Sequence, residues 1–412
     1  MLKRRYQILF ITLAVFEIFL PSILAGLCFV DDVQMFKGLL QMHDWNLKNV
    51  FTPGGLYYRP LLSLSFIMDK EFWLLNERVM HLENVFLHLF NVVLVYYLTL
   101  TLLPDHEKEE SVLPLTAALC FGLHPINTEA VNWISGRADL MACTFVLLST
   151  LYLVKFKKGN KKRFLVVSSL SLLLAVLSKE VAMAFIPAVF LILIAYDGDN
   201  MTAEYDTDKT KHKLLPTLCL FLTILTVLLL TYFLFRSHFF SSDASSLRKT
   251  INKITTGPIQ ALFICLRAFG FYMKKIYIPF PLDFTIKEVD PLYELLALPF
   301  LLLCLLIAFK RTLLTALFTA GILLITPSLL IAFGNIAWMP YAERYLYVSS
   351  AFIIIPSAFY IRNKLEHFRS RTLIKAGVSA ILIIMSVVTL DRNIYWKKTT
   401  ACYKDVKWIV EK

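Results

Sequence analysis

Two adjacent carboxylates, Asp31 and Asp32, stand in the stretch CFVDDVQ directly after the first long apolar run. At a membrane edge such a pair cannot ionise fully at low cost unless a cation or proton donor compensates, so one of them is a candidate general base near neutral pH. A helix end marked by solvated acids is the simpler alternative. A divalent cation shared by Asp31 and Asp32 is also open, although no cage of oxygen ligands can be read from the spacing. Further on, Arg59 precedes a proline that fixes the backbone, which suits presenting a guanidinium to a phosphate or anchoring a loop. His81, Asn84, His88 and Asn91 share one helical face. In a membrane bundle that pattern more often means hydrogen bonds between helices than a ligand.

The densest polar signal is LHPINTEAVNWISGRADL, which sets His124, Glu129, Arg137 and Asp139 between two apolar runs. An interfacial arginine can simply snorkel, but with an acid and a histidine beside it the group suits a phosphate head group. Lys179 and Glu180, in LSKEV, join two apolar runs with almost no room for a loop. They must therefore sit at a membrane edge, as site residues or as an ion pair closing a helical hairpin. In YAERYLY, Glu343 and Arg344 lie among tyrosines, where they support a site or fix the next span. The 7 cysteines are scattered, with neither CxxC pairs nor metal-ligand spacing. Walker loops, a GxGxxG turn and HExxH are all missing from the sequence.

The elements that must position these residues are dictated by composition. With 58% hydrophobic and only 17% charged residues, lipid is the solvent of this chain. The net charge of +12 falls in short basic clusters between apolar runs, as topology determinants do. No basic face of a soluble domain emerges, so no nucleic-acid partner is expected. Apolar runs occur at Ile8 to Cys28, Val85 to Leu103, Val112 to His124, Leu140 to Phe156, Phe164 to Leu177, Val181 to Tyr196, Leu214 to Phe235, Leu295 to Phe309, Thr312 to Phe333, Leu346 to Ile361 and Leu373 to Leu390. These predict an all-α multi-pass membrane protein with about 11 transmembrane helices, the first an uncleaved signal anchor.

Placing the basic loops in the cytoplasm requires Ile259 to Phe280 to lie in or on the outer interface, since Arg267, Lys274 and Lys275 interrupt its apolar run. Residues 29–81 and 236–294 then form long outer loops carrying interfacial helices, and every candidate above falls on the non-cytoplasmic side. The sequon at Asn200 falls on the cytoplasmic side and is discounted. The span domain is expected to run over 1–396, with 397–412 as a short non-cytoplasmic tail. The halves show no internal repeat, which weighs against a transporter built from inverted repeats.

The motifs FVDDVQ, YYRPLLSLSF, HLENVFLHLFN, LHPINTEAVNWISGRADL, LLAVLSKE and PYAERYLYVSS occur in this order between Phe29 and Trp396. Together they resemble the membrane part of the transmembrane-and-tetratricopeptide-repeat O-mannosyltransferases and their bacterial relatives. The resemblance implies a GT-C-type helical bundle, and an enzyme that moves mannose or a similar hexose from a polyprenyl- or dolichyl-phosphate carrier to an acceptor hydroxyl. The acceptor would be a protein or glycan, with protein O-glycosylation at the non-cytoplasmic face as the expected outcome. By the same resemblance, Asp31 and Asp32 supply the base, while Arg137, with Arg59 or Lys179, holds the carrier phosphate. His124, Glu129, Asp139, Glu180, Glu343 and Arg344 match motif positions and are expected at the substrate.

Two departures accompany the match: no helical repeat array follows within these residues, and the acidic pair sits one residue closer to Phe29-Val30 than is common. No cofactor is expected beyond an optional divalent cation. A bacterial plasma membrane is favoured, with the endoplasmic reticulum membrane as the alternative. A flippase for lipid-linked sugars is the main rival function, but only Glu17 lies deep in an apolar run. A non-catalytic membrane partner is the other rival.

Overall fold

A computed structural model of the chain describes residues 3–29, 31–42, 50, 58–195, 221, 223, 225–227, 229–234, 257–284, 286–334, 339–365 and 370–400. The sequon at Asn200, Cys219, Cys402 and half of the Leu214 to Phe235 run lie outside the described residues. The described residues are helical and contain no strand. In chain order the helices are α1 (Arg4–Phe19), α2 (Asp32–Gln41), α3 (Pro60–Trp73), α4 (Glu77–Leu102), α5 (Leu113–Gly122), α6 (Thr128–Asn132) and α7 (Arg137–Gly159). They continue with α8 (Lys162–Ser178), α9 (Ile186–Ile194), α10 (Pro258–Tyr277), α11 (Leu292–Ala308), α12 (Leu313–Gly334), α13 (Tyr347–Leu365) and α14 (Arg371–Thr400).

Among the described residues, 6 helical segments are long and apolar enough to cross a membrane, and shorter apolar helices accompany them. The chain is therefore an all-α multi-pass membrane protein, as its hydropathy requires. The span containing α7 is the centre of the bundle, with 72% of its apolar window buried, whereas the span of α14 is only 6% buried and forms an outer skin. Local signals explain several starts. Asn76 caps α4 by accepting from the amides of Arg78 and Val79, and proline occupies the first turn of α3, α5, α9 and α10.

The polar loops gather at two opposite ends. At one end Arg4 pairs with Glu109, Arg362 with Glu107, and Lys157 donates to the Ala195 carbonyl, which brings the basic loops expected in the cytoplasm to a common face. The other end holds all the candidate site residues. There, the outer turn between α5 and α7 is no exposed loop. Residues 123–134 form broken single turns tucked into the bundle, all buried. Gly136 makes this possible, because a Cβ there would come within 2.4 Å of the Ala130 carbonyl oxygen.

The expectation that Ile259 to Phe280 rests in or on the interface needs correcting in its second half. Ile259, Leu262 and Phe263 are exposed, but from Ala268 to Ile276 most of α10 is buried in the bundle. Arg267 meets Glu294, the Gly270 backbone abuts Tyr293 and Ala297, and Tyr277 stacks on Phe300, so α10 and α11 run in the same sense. Consecutive full spans joined by a short loop would run in opposite senses. The chain therefore returns along α10 through residues 278–291 before α11 begins, and Arg267 and Lys275 of α10 are tolerated because Glu294 and Glu343 pair with them.

Candidate functional site

The two carboxylates after α1 part company. Asp32 is fully buried; its Oδ2 accepts from the Cys28 amide at 3.0 Å, and its Oδ1 accepts from the Ser135 amide at 2.9 Å and the Ser135 hydroxyl at 2.5 Å. Burial pushes its pKa up to about 7, against the opposing effect of those hydrogen bonds. Asp31 is exposed, stands at the N-cap of α2 without using its side chain to cap it, and has a backbone at φ 63°, a region that non-glycine residues rarely occupy. Asp32 therefore ties the loop to the α5–α7 connection, and the strained residue beside it presents its carboxylate outward. With the oxygens of Asp32 engaged by Cys28 and Ser135, Asp31 alone is left to meet a cation. No group of three His, Cys, Asp or Glu that could hold a metal occurs among the described residues.

Arg137, expected at a phosphate, is placed inside the protein. Its guanidinium meets Asp69 at 2.6 Å, Glu83 at 3.0 Å, the Asn84 carbonyl oxygen at 3.1 Å and the Met80 carbonyl at 3.2 Å, and lies over the Phe66 ring. Every nitrogen of the fork is used, and the residue is 2% exposed. This arrangement staples α3, α4 and α7 together and leaves the guanidinium, as it stands, with no free donor to offer a phosphate. Its partners Asp69 and Glu83 were not singled out from sequence. The signal available was a requirement, that an arginine this close to an apolar run finds acids, without saying which.

His124 is also committed. One ring nitrogen lies 2.9 Å from the Ile276 carbonyl and the other accepts from the Ile126 amide at 3.2 Å, so the imidazole fastens α10 to the buried turn. Burial lowers its pKa to about 4 and keeps it neutral. The stripe on α4 follows the same logic: His88 lies 2.8 Å from the Tyr347 hydroxyl, and Asn91 and Asn84 donate to carbonyls of Leu140 and Trp133. These are hydrogen bonds between elements of the bundle.

The remaining candidates converge. Arg59 holds Glu180 with two donors, at 2.9 and 2.6 Å. Lys179 meets Asp139 at 2.6 Å, and Arg344 pairs with Glu129 through both its side chain and its amide. The cations are close enough to act on one another, for Lys179 feels both Arg59 and Arg344. Burial pulls the Lys179 pKa below the ordinary lysine value, and Asp139 opposes the shift.

Next to this alternating cluster, a small cleft is lined by Asp139, Val181, Leu324, Ser328, Ile331 and Tyr345. The least buried pair of the cluster is Arg59 with Glu180, whose side chains are 16% and 38% exposed. Glu343 stands apart, fully buried, with Oε1 accepting from Lys275 at 2.6 Å and from the Asp283 amide at 3.2 Å. Trp133 links the two halves of the site. The Arg344 guanidinium lies 4.2 Å from the centre of its ring, and Phe284 meets it edge-on, with Phe29 and Trp396 packed on Phe284 in turn.

Among the described residues, six helical segments long and apolar enough to cross a membrane define the class: a multi-pass helical membrane protein. Over partial stretches the chain is homologous to proteins named O-mannosyl-transferases. It is 31% identical to Protein O-mannosyl-transferase Tmtc1 of Drosophila melanogaster over 153 residues, which are 37% of this chain and 17% of that protein. To TMTC2 of Mus musculus it is 38% identical over 120 residues, 29% of this chain and 13% of the relative. To tmtc2 of Xenopus laevis it is 34% identical over 149 residues, 34% of this chain and 17% of the relative. The matched stretches thus span less than a fifth of the length of these relatives. No family model matches the chain. These relatives are animal proteins, so nothing among them supports the bacterial membrane favoured from sequence.

Proposed function

We propose that the chain is a membrane glycosyltransferase that moves mannose or a similar hexose from a polyprenyl-phosphate carrier to a protein hydroxyl, at the non-cytoplasmic face of the endoplasmic reticulum membrane. The names of the relatives motivate the sugar and the acceptor. The reading is carried by the exposed, backbone-strained carboxylate of Asp31 together with the cations Arg59, Lys179 and Arg344, which lie close enough to act on one another.

In this mechanism Asp31 takes the proton of the acceptor hydroxyl as its oxygen attacks the anomeric carbon. The bond from that carbon to the phosphate oxygen breaks, its electron pair leaves with the carrier phosphate, and the configuration inverts. Burial raises the Asp32 pKa to about 7, but geometry ranks before pKa: a fully buried carboxylate whose oxygens are taken by Ser135 and Cys28 cannot reach an acceptor. Asp32 and Ser135 are positioning residues. Arg59 and Lys179 stabilise the departing phosphate by exchanging part of their hold on Glu180 and Asp139, which the exposure of the Arg59 pair permits. Arg344 is kept in line by Glu129 and stacked on Trp133.

The test is transfer of radiolabelled mannose from dolichyl-phosphate mannose to acceptor peptides by the purified chain. Asp31→Asn should lower kcat by about a hundredfold or more with folding intact, and Arg59→Gln should chiefly raise the donor KM. Wild-type activity in Asp31→Asn would overturn the assignment of the base. No transfer by wild type across donors and acceptors would overturn the enzyme reading.

A further inference from the structure

Among the described arginines at the site end, exposed Arg78 and part-buried Arg392 have no carboxylate partner, and of the two only Arg392 has a guanidinium nitrogen shielded from solvent. Arg59, Arg137, Arg267 and Arg344 each close on a carboxylate, and Arg362 does so at the opposite end. Arg392, near the end of α14, makes no ion pair and no hydrogen bond with any described residue. Its Nε is shielded from solvent without a partner, and its charge lies over the Tyr395 ring at 5.0 Å. A donor shut off from water and left unbonded is costly, so a part-buried guanidinium in this condition is set up for an anion.

The surroundings say where the anion would come from. Thr389 donates to the Leu123 carbonyl, Asn393 bonds both Asn132 and the Ile18 carbonyl, and Trp396 packs on Phe284, so one edge of α14 is sewn to the buried turn and to the aromatic cluster around Trp133. Arg392 lies beside that seam, close enough for its charge to act on Glu343, whose enclosed Oε2 is also without a partner among the described residues. The other side of α14 is open, with Ile383, Ile384 and Val387 more than half exposed, and in a bilayer that side faces lipid. An anion arriving there comes with an acyl or prenyl chain.

We propose that Arg392 receives the phosphate of a lipid carrier that enters the site sideways along α14. This rests on the transferase reading for the identity of the lipid, and it adds a binding residue and an entry route. Arg392 then binds the phosphate before Arg59 and Lys179 need to release their carboxylates.

The probe is dolichyl phosphate without sugar, its binding to the full chain in nanodiscs read by native mass spectrometry, with phosphatidylglycerol as the competing bulk anion. Arg392→Gln should weaken dolichyl phosphate binding by about tenfold or more, Arg392→Lys should restore part of it, and Asp31→Asn should bind as wild type does. In transfer assays Arg392→Gln should raise the donor KM by a similar factor and leave the acceptor KM unchanged. Each variant is compared at a melting temperature matched to wild type, and Arg392→Lys separates loss of the charge from loss of packing. Wild-type binding by Arg392→Gln, absence of dolichyl phosphate binding by wild type, or equally tight and equally Arg392-dependent binding of phosphatidylglycerol would each overturn the inference. Arg392-dependent binding with no sugar transfer would overturn the transferase reading and leave this one standing.

Discussion

Neighbouring aspartates with the same chemistry are given opposite environments, and pH should reveal it. Asp32 in the folded protein holds its proton to about pH 7, whereas the unfolded carboxyl loses it near its ordinary value of 3.8. Between those values the folded state binds more protons than the unfolded one, so its stability falls as pH rises, by on the order of 4 kcal/mol at most. The melting temperature should accordingly be higher at pH 5 than at pH 8, and Asp32→Asn should flatten the difference. An unchanged slope in Asp32→Asn would assign the effect to other groups. The presence of an acidic pair was legible in CFVDDVQ, but which member faces out was not. That choice depends on Ser135, more than a hundred residues away, whose amide and hydroxyl take one carboxylate inside.

At the scale of elements, Arg137 acts as a staple. Arg137→Met should destabilise the protein by about 3 to 5 kcal/mol, since Asp69 is then a buried charge without its partner. Arg137→Met combined with Asp69→Leu should recover much of that loss, as measured by thermal unfolding in detergent. A stable Arg137→Met protein with a raised donor KM would instead return Arg137 to the phosphate. The packing of α10 on α11 yields a second prediction. A Cβ at Gly270 would lie 2.0 Å from the Tyr293 carbonyl oxygen, so Gly270→Val must push the helices apart. A loss of about 2 kcal/mol or more is expected, and Gly159→Val, with open space around its Cβ position, is the control for exposed glycine substitution. The apolar runs foretold most helices. They did not foretell that the connection from α5 to α7 is buried, because its polar residues are satisfied by carbonyls of other elements that local hydropathy does not register.

For the whole molecule, orientation is the property to measure. Lys37 is partly exposed on α2 at the site end and Lys161 is exposed between α7 and α8 at the basic end. In sealed microsomes Lys161→Cys should react with a membrane-impermeant maleimide, and Lys37→Cys should react only after permeabilisation. The opposite pattern would put the site in the cytoplasm and remove the proposed reaction from the luminal face.

The amino-acid sequence by itself determined that lipid is the solvent and roughly where the chain crosses it. Hydropathy and basic clusters are local quantities that add along the chain, so these conclusions need no knowledge of contacts. Tertiary structure alone decided the pairings: Arg137 to Asp69, Lys179 to Asp139, Arg344 to Glu129, and for Arg392 no carboxylate among the described residues. Each pairing joins residues that are 40 to 215 positions apart. In a low-dielectric interior the identity of the partner decides whether a cation is structural or available to a substrate, and only the packed bundle specifies that partner.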